Sequence, residues 1–487
     1  MKDIVGIRDL SREDIDLLIN DALELKQNKS TKADKKFKVA SLFFETSTRT
    51  RMSFETAAEE QGMFASGFSG AEGTSVKKGE PISDTLRMFE GYGYDVVVMR
   101  HNLDGAARLA ADILKISVIN AGDGQNAHPT QTLLDLMTIK ELKGSVDGLK
   151  IALVGDLKYG RTVHSLFQAL ELYFVELWLV APESLQMPKW RVDEFVANTG
   201  KNVILKEDLK DVIPHVDILY MTRIQRERFP ESLEGELEYK KVSGLYNLTA
   251  AMLKQAKQSS YVLHPLPRYK HNLEIAMDVD TTKHAGYFVQ AQNGLFMRQA
   301  ILKRVLGEGF RGVENAIKEV PLWQDLPIGE GSKKGEHLIY RLDNGTLIDH
   351  VEQGKGLQVF KILGLDGCND FEVVPALNIN SGKFGKKDVI AVHNVTLSPE
   401  QLFKVALVSE RATVNLIQNN TVVKKGKVTP PEIIAGLVRC GNPHCVSREE
   451  HKEHLVSKFQ VIKRQPLIVR CHYCERSFKR EEFELEY

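Results

Sequence analysis

Several short stretches gather arginines, hydroxyls and glycines in patterns suited to holding anions. The densest is Ser41-Leu42-Phe43-Phe44-Glu45-Thr46-Ser47-Thr48-Arg49-Thr50-Arg51, an apolar run that ends in hydroxyls and arginines. A helix is expected to begin near Ser53. A helix N-terminus offers unpaired N–H groups and a partial positive charge, which suit a phosphate. Arg49 adds a planar, bidentate donor. The bland alternative is a Ser/Thr helix cap beside a solvated arginine.

Other stretches repeat the theme. Gly155-Asp156-Leu157-Lys158-Tyr159-Gly160-Arg161-Thr162 follows the apolar run Ile151–Val154 and nearly matches a nucleotide-binding P-loop, with Arg161 where that motif needs lysine. A plain strand-to-helix turn also uses such glycines. The turn Asn120-Ala121-Gly122-Asp123-Gly124-Gln125-Asn126-Ala127-His128-Pro129-Thr130-Gln131 delivers a histidine to a helix start, with Pro129 near the first helical position. Thr222-Arg223-Ile224-Gln225-Arg226-Glu227-Arg228 and His264-Pro265-Leu266-Pro267-Arg268 each follow a strand-like run. Taken singly, the histidine reads as structural and the charge run as a solvated face. Together they place cations and hydroxyls after strand after strand, at the edge where open α/β sheets bind ligands. No cysteine nucleophile, HExxH pair or GxSxG elbow accompanies them. The chemistry expected is anion binding and stabilisation of a charged transition state. An ATPase is the rival that Arg161 argues against, and a non-catalytic scaffold is the rival that the intact arginines argue against.

The cysteines point to a second chemistry. Cys440-x4-Cys445, 25 residues, then Cys471-x2-Cys474 gives two close thiolate pairs, while Cys368 stands alone. Zinc accepts four thiolates tetrahedrally, so one structural zinc per chain is expected on Cys440, Cys445, Cys471 and Cys474. His444 and His472 are alternative ligands, and a redox dithiol at Cys471/Cys474 is an alternative use. A segment this short would hardly stay folded without its metal. A secreted disulfide scaffold does not leave the first 367 residues free of cysteine.

The elements that must position these residues follow from pattern. The runs Val39–Phe44, Asp95–Met99, Ile116–Asn120, Ile151–Val154, Leu177–Ala181, Ile218–Met221 and Tyr261–His264 alternate with helical stretches such as Met52–Gln61 and Thr130–Lys143. That alternation predicts two doubly wound parallel-sheet α/β domains, with a break near Pro129. Residues 307–334 are rich in Gly, Pro, Lys and Glu and read as a linker. Beyond them Val373–Ile379, Val389–His393 and the helix Ser398–Val408 suggest a small α+β unit, followed by a β-rich cysteine segment. At 487 residues the chain holds several domains. Lys plus Arg (65) equals Asp plus Glu (65), which gives no argument for nucleic acid or a membrane surface. The charged N-terminus and the absence of a long apolar run make the cytoplasm the expected location.

Residues 1–305 resemble the catalytic chain of the aspartate carbamoyltransferase family. The resemblance is carried by FFE-x-STRT at Phe43–Thr50, Ser75…Lys78-Gly79-Glu80, Met99-Arg100-His101, HPTQTLLDL at His128–Leu136, GDLKYGRTVHSL, TRIQRER and HPLPR, in that order. It implies transfer of a carbamoyl group from carbamoyl phosphate to L-aspartate, the committed step of de novo pyrimidine biosynthesis. It further implies that Ser47, Thr48, Arg49 and Thr50 hold the phosphate. Arg100 and His128 would meet the carbamoyl oxygen, and Gln131 the carbamoyl amine. Arg161, Arg223 and Gln225 would hold the aspartate carboxylates, while Pro265, Leu266 and Pro267 line the site through their backbone. Glu45 would bridge Arg161 and Arg228 on domain closure. Ser75 and Lys78 belong to a loop that in this family enters a neighbouring subunit's site, which implies a catalytic homotrimer and leaves open whether trimers pair. Ornithine carbamoyltransferase shares several of these elements, but HPLP lacks that relative's cysteine, and the extra cations favour a second carboxylate. On this reading residues 1–131 with the returning helix 286–306 bind carbamoyl phosphate, and 132–285 bind aspartate.

Residues from about 335 onward resemble the family's regulatory chain, normally a separate polypeptide. GTLIDH at Gly345–His350, Leu377-Asn378-Ile379, SGKFGKKD at Ser381–Asp388, Ala412-Thr413-Val414-Asn415 and the four cysteines carry the likeness. It implies a ferredoxin-like nucleotide-binding domain (335–430) and a zinc domain (431–487), with nucleotide effectors such as CTP and ATP. Asp349, His350, Asn415, Ile417, Val422 and Lys425 fall on effector positions. Ala391 stands where a lysine meets the nucleotide phosphates, and Tyr340 replaces an acidic residue.

Overall fold

The computed structural model describes residues 2–28, 36–72, 74–224, 229, 232–269, 273–313, 321–328, 342–366, 371–382 and 385–486. Gln225, Arg228, Tyr340 and Cys368 lie outside the described residues. The chain divides into two compact units, Met1–Glu314 and Asn315–Tyr487.

The first unit carries two parallel sheets. In chain order its elements are α1 (Arg12–Gln27), β1 (Lys38–Phe43), α2 (Thr48–Glu60), β2 (Phe64–Ser69), α3 (Ile82–Gly91), β3 (Val96–His101), α4 (Ala106–Ile113), β4 (Ser117–Asp123) and α5 (Pro129–Lys143). There follow β5 (Lys150–Val154), α6 (Arg161–Ala169), β6 (Glu176–Val180), α7 (Lys189–Thr199), β7 (Val203–Lys206), β8 (Ile218–Met221), α8 (Leu233–Val242), α9 (Ala250–Leu253), β9 (Tyr261–Leu263) and α10 (Tyr287–Leu306). The sheet orders are β2-β1-β3-β4 and β7-β6-β5-β8-β9. Both are doubly wound, so the winding reverses between β1 and β3 in one sheet and between β5 and β8 in the other. Crevices open at such reversals, beyond the carboxyl ends of the strands.

The inner strands are buried on both faces, as covered parallel sheets require. Val39 to Phe43, Val96 to Met99 and Ile151 to Val154 are almost without solvent contact. α1 starts at a Ser11/Asp14 capping box and buries Ile15, Leu18, Ile19 and Ala22, a single helical stripe. α5 is buried from Pro129 through Ile139, on every face, because it runs between the two halves. α10 returns from the end of the second half to pack on α1, α2 and α5.

One helix boundary differs from expectation. α2 begins at Thr48, not near Ser53, with Ser47 extended at the N-cap position (φ −157°, ψ 109°). Two threonines and no apolar residue in the first turn hide this start, since β-branched residues are weak helix formers. The consequence is functional: Thr48, Arg49 and Thr50 lie in the first turn itself.

The second unit contains a six-stranded antiparallel sheet with order β10-β15-β14-β11-β13-β12, made of β10 (Trp323–Asp325), β11 (Gly345–Glu352), β12 (Val373–Ser381), β13 (Gly385–His393), β14 (Thr413–Gln418) and β15 (Thr421–Val428). Helices α11 (Gly356–Ile362) and α12 (Pro399–Val408) complete a β-α-β-β-α-β path, the ferredoxin-like arrangement. α12 opens at a Ser398/Gln401 capping box. Within 307–334, β10 is not irregular but pairs with β15, Trp323 opposite Val428. The last residues form β16 (Ile433–Ala435), β17 (Val438–Arg439), β18 (Lys458–Arg464), β19 (Leu467–Cys471), β20 (Ser477–Lys479) and β21 (Glu484–Leu485), in sheets β16-β18-β19-β20 and β17-β21.

Candidate active site

Both reversals of the first unit open on one cavity of about 650 Å³. From the first sheet come Ser47, Thr48, Arg49 and Thr50 beyond β1, Arg100 at the end of β3, and His128 and Gln131 at the start of α5. From the second come Arg161 beyond β5, Arg223 beyond β8, and Pro265, Leu266 and Pro267 beyond β9. Residues scattered over more than 200 positions of sequence converge because each follows a strand of the same polarity.

Each anion-binding part has a local cause. At α2 the first turn points N–H groups with no intrahelical acceptor into the cavity, and Ser47 makes no capping hydrogen bond with its side chain. The hydroxyl of Ser53 instead ties back to the carbonyl oxygens of Arg49 and Thr50 (2.7 and 3.0 Å). Burial, and then the neighbouring Arg223, lower the affinity of Arg49 for its proton. That is what burial beside a second cation does to a guanidinium. His128 is held by Pro129 at the first helical position, and its backbone N–H donates to Ser165 Oγ at 2.9 Å. Burial, with Arg161, Arg100 and Arg298 nearby, keeps its imidazole well below the usual histidine range. His128 is therefore neutral and able to donate a hydrogen bond without adding charge.

Two glycines make room. Gly122 (φ +117°) lies under Arg161 and His128, where an added Cβ would stand 3.2 and 3.3 Å from their side chains. Gly155 (φ +111°) passes Thr222, whose carbonyl oxygen would be 2.7 Å from a Cβ. Only glycine adopts these angles without strain at such contact. Thr222 Oγ1 then accepts from the Asp156 N–H and donates to Val154 O (both 2.9 Å), which locks the β5 and β8 turns together.

Glu45 meets one expected partner, Arg161, and a further arginine, Arg100. Its carboxylate accepts from Arg100 Nη2 (2.9 Å) and from Arg161 Nη1 and Nη2 (3.1 and 3.3 Å). The bridge therefore joins Arg161 to Arg100, the expected partner Arg228 lying outside the described residues. The reason is register. β1 and β3 are neighbours with Phe43 opposite Arg100, so a carboxylate two residues past Phe43 meets that guanidinium first. Arg161 also donates to Gly124 O (2.9 Å).

Ser75 and Lys78 are not brought to this cavity. They sit exposed on a 3-10 turn, Ser75–Lys78, and are not among the lining residues. The lining also includes Thr162, His264, Gln290 and Arg298, which the sequence does not mark as site residues. Arg298 is buried, and burial lowers its guanidinium to about 10. It stacks over Phe54, its ring centroid 5.2 Å away. The only sequence signal was that α10 returns to the first half.

In the second unit, strand register puts Asp349, Asn415, Ile417 and Lys425 on one face of the sheet. Asp349 pairs with Lys387 (2.5 Å) and with His350 Nδ1 (3.2 Å). Burial opposes ionisation of Asp349, but hydrogen bonds from His350 and Lys387 outweigh it and hold the carboxyl low. Ile417 and Val422 pack with Leu342, Leu347 and Ala391 in an apolar cluster.

The sulfurs of Cys440, Cys445, Cys471 and Cys474 all lie within 4.8 Å of one another, and every one of these residues is buried. Cys440–Cys474 and Cys445–Cys471 are 3.7 Å apart. A tetrahedron of ~2.3 Å metal–sulfur bonds has edges of about 3.8 Å, whereas a disulfide needs ~2.05 Å. The donor set fits a four-thiolate metal, with neither His444 nor His472 in it.

Comparison with known proteins follows this division. Residues 2–141 match the family model described as aspartate/ornithine carbamoyltransferase, carbamoyl-P binding domain, and 147–305 match its Asp/Orn binding domain. Residues 337–429 match the aspartate carbamoyltransferase regulatory chain, allosteric domain, and 432–484 its metal binding domain. The aspartate carbamoyltransferase catalytic subunit of Thermococcus onnurineus is 51% identical over 310 residues, 63% of this chain and 97% of that protein. That of Chromobacterium violaceum is 50% identical over 307 residues, 63% and 98%. Among solved structures, the catalytic subunit of M. jannaschii aspartate transcarbamoylase aligns with a TM-score of 0.57 at 42% identity, over 63% of this chain and 99% of that one. The Trypanosoma cruzi enzyme in complex with carbamoyl phosphate and aspartate aligns at 0.56 and 38% identity, over 62% and 95%.

Proposed function

We infer the working of the site from the premise that this chain belongs to the aspartate/ornithine carbamoyltransferase family, with the regulatory chain's allosteric and metal-binding domains fused behind its catalytic domains. It is an aspartate carbamoyltransferase, a transferase carrying a fused regulatory module. The roles of individual residues are our reading.

Carbamoyl phosphate and aspartate each carry about two negative charges, and their approach costs repulsion that fixed cations must offset. The α2 N-terminus, Ser47, Thr48, Arg49 and Thr50 hold the phosphate. Arg161, Arg223 and Gln225 hold the two carboxylates of aspartate, the backbone of Pro265, Leu266 and Pro267 facing them. The aspartate amine then attacks the carbamoyl carbon. Negative charge grows on the carbamoyl oxygen, where Arg100, Thr50 and neutral His128 aim donors, and the C–O bond to phosphate breaks. The amine's proton leaves with the phosphate or with water. Alignment of two reactants can supply on the order of 7–11 kcal/mol of the barrier. Glu45 holds Arg100 and Arg161 poised across the cleft. Ser75 and Lys78, outside their own chain's cavity, complete the site of a neighbouring copy in a homotrimer.

In the second unit we read the metal as a single structural zinc, since four thiolates leave no position for water. Nucleotides such as CTP and ATP bind on the sheet face of Asp349, Asn415 and Lys425. Ala391 in place of lysine removes an ammonium contact worth ~1.5–3 kcal/mol, so effector binding is weak. The cytoplasm is the proposed location; among the described residues no helix is long and apolar enough to cross a membrane.

The observation that carries this reading is the convergence of Arg49, Arg100, Arg161 and Arg223 on one cavity. A colorimetric assay for carbamoylated product, with aspartate and ornithine compared as acceptors, tests it. Product from aspartate alone is expected. Preference for ornithine would overturn the assignment of Arg161 and Arg223.

A further inference from the structure

One buried carboxylate beneath the cavity has no part in the mechanism above. Asp135 lies one helical turn beyond Gln131 on α5 and is fully buried. Its Oδ1 accepts from Gln131 Nε2 (2.8 Å) and from Gln290 Nε2 (2.6 Å), and its Oδ2 from the Tyr220 hydroxyl (2.8 Å). An amide that gives its NH2 group to a carboxyl must turn its oxygen the other way. Gln290 shows the rule at work: its Oε1 accepts the backbone N–H of His264 at 2.7 Å. Gln131 lines the cavity, and with its Nε2 on Asp135 its Oε1 is left for the cavity side.

We propose that Asp135 is a positioning residue that fixes the polarity of the Gln131 amide, so that the site meets the carbamoyl nitrogen with an acceptor and thereby selects carbamoyl phosphate over other acyl phosphates. The acetyl group of acetyl phosphate has nearly the same shape but puts a methyl where the carbamoyl NH2 stands. An acceptor facing that methyl loses its hydrogen bond in a buried place, which is the strongest form of discrimination between near-isosteres. A freely flipping Gln131 would offer its own NH2 half the time and lose the distinction.

The device survives changes of pH. Burial pushes the Asp135 carboxyl up to about 7, against the hydrogen bonds it accepts. A proton taken up there has an acceptor only at Oδ2, where the Tyr220 hydroxyl can accept as well as donate. Oδ1, with two NH2 groups on it, stays an acceptor in either state. This proposal rests on Gln131 contacting the carbamoyl amine, as read above.

The test is a ratio measured on the full-length protein: the inhibition constant of acetyl phosphate divided by the KM of carbamoyl phosphate. A ratio does not depend on how much of a preparation is active. Asp135→Leu is expected to lower it by about tenfold or more. Asp135→Asn, whose Oδ1 still accepts while its NH2 meets Tyr220, is expected to keep it within about threefold. An unchanged ratio in Asp135→Leu, or equal loss in both variants, overturns the proposal. Gln131→Leu separates the two layers: if it leaves the ratio unchanged, the reading of Gln131 itself fails. If it collapses the ratio while Asp135→Leu does not, only the role of Asp135 fails. Should Asp135→Leu not fold, Gln131→Glu carries the test, because it is nearly isosteric. Held protonated against Asp135, it donates its O–H and presents its carbonyl, so the ratio at pH 6 is expected to match the unaltered protein. A ratio already lost at pH 6 overturns the proposal.

Discussion

Replacing Glu45 by Gln separates the two substrates. Glu45 is the shared anion of Arg100 and Arg161, and its side chain keeps 27% of its accessibility while that of Arg161 keeps 8%. An amide retains one acceptor but loses the charge, and its NH2 would face a guanidinium. Charge-assisted hydrogen bonds contribute ~1.5–3 kcal/mol each where buried, and partial exposure of Glu45 pulls the figure to the lower end. Arg161 keeps its bond to Gly124 O, so it loosens rather than leaves. We expect a loss of about 1.5–2 kcal/mol in aspartate binding, a rise of roughly 10–30-fold in its KM. Carbamoyl phosphate behaves differently, since Arg100 is freed from a competing carboxylate; its KM is expected to change less than about threefold. The assay follows carbamoyl aspartate at saturating concentrations of one substrate while the other is varied. Equal losses for both substrates would refute the bridge.

Three further outcomes are expected. The buried histidines His128, His164 and His264 stay neutral in the folded protein, the last two held by burial down to about 3, whereas burial raises Asp135 to about 7. Below pH ~6 these four groups bind three protons in the unfolded chain and one, on Asp135, in the folded one, a difference of two, so their contribution to stability falls by roughly 2–3 kcal/mol per pH unit; a melting temperature that held or rose between pH 7 and pH 5 would contradict this. Cys471→Ser should release the metal and unfold the last domain while product formation by the catalytic unit persists, so protein assayed by metal analysis with one zinc still bound per chain would count against the four-thiolate site. Mixing inactive Lys78→Ala with inactive Arg49→Ala protein, after dissociation and reassembly, should restore activity through sites built from two chains; mixtures as inactive as their parents would exclude the shared site.

Much of this site could be read from sequence because its residues follow strands, and strand periodicity locates the carboxyl ends of a parallel sheet. Arg49, Arg100, Arg161 and Arg223 each come within a few residues of such an end, and the structure gathers them. What sequence hid depends on contacts between distant elements. The start of α2 at Thr48 was obscured by weak helix formers. The Arg100 side of the Glu45 bridge follows from the pairing of β1 with β3, which no local pattern reveals. Arg298 and Gln290 reach the cavity only because α10 crosses back, and its apolar pattern does not say which polar residues face inward. The β10 strand is hidden in the sequence because Trp323–Asp325 is too short to show a period, and its pairing with β15 is what makes it a strand.

The most direct measurement is calorimetric titration of the full-length protein with N-(phosphonacetyl)-L-aspartate, a compound the Trypanosoma cruzi enzyme has been crystallised with. It joins a phosphonate to two carboxylates, so it meets both halves of the cation cluster at once. Binding near one molecule per chain, weakened about 100-fold or more by Arg49→Ala and by Arg161→Leu alike, is the expected result. Binding that neither substitution disturbs would show that the anions sit elsewhere.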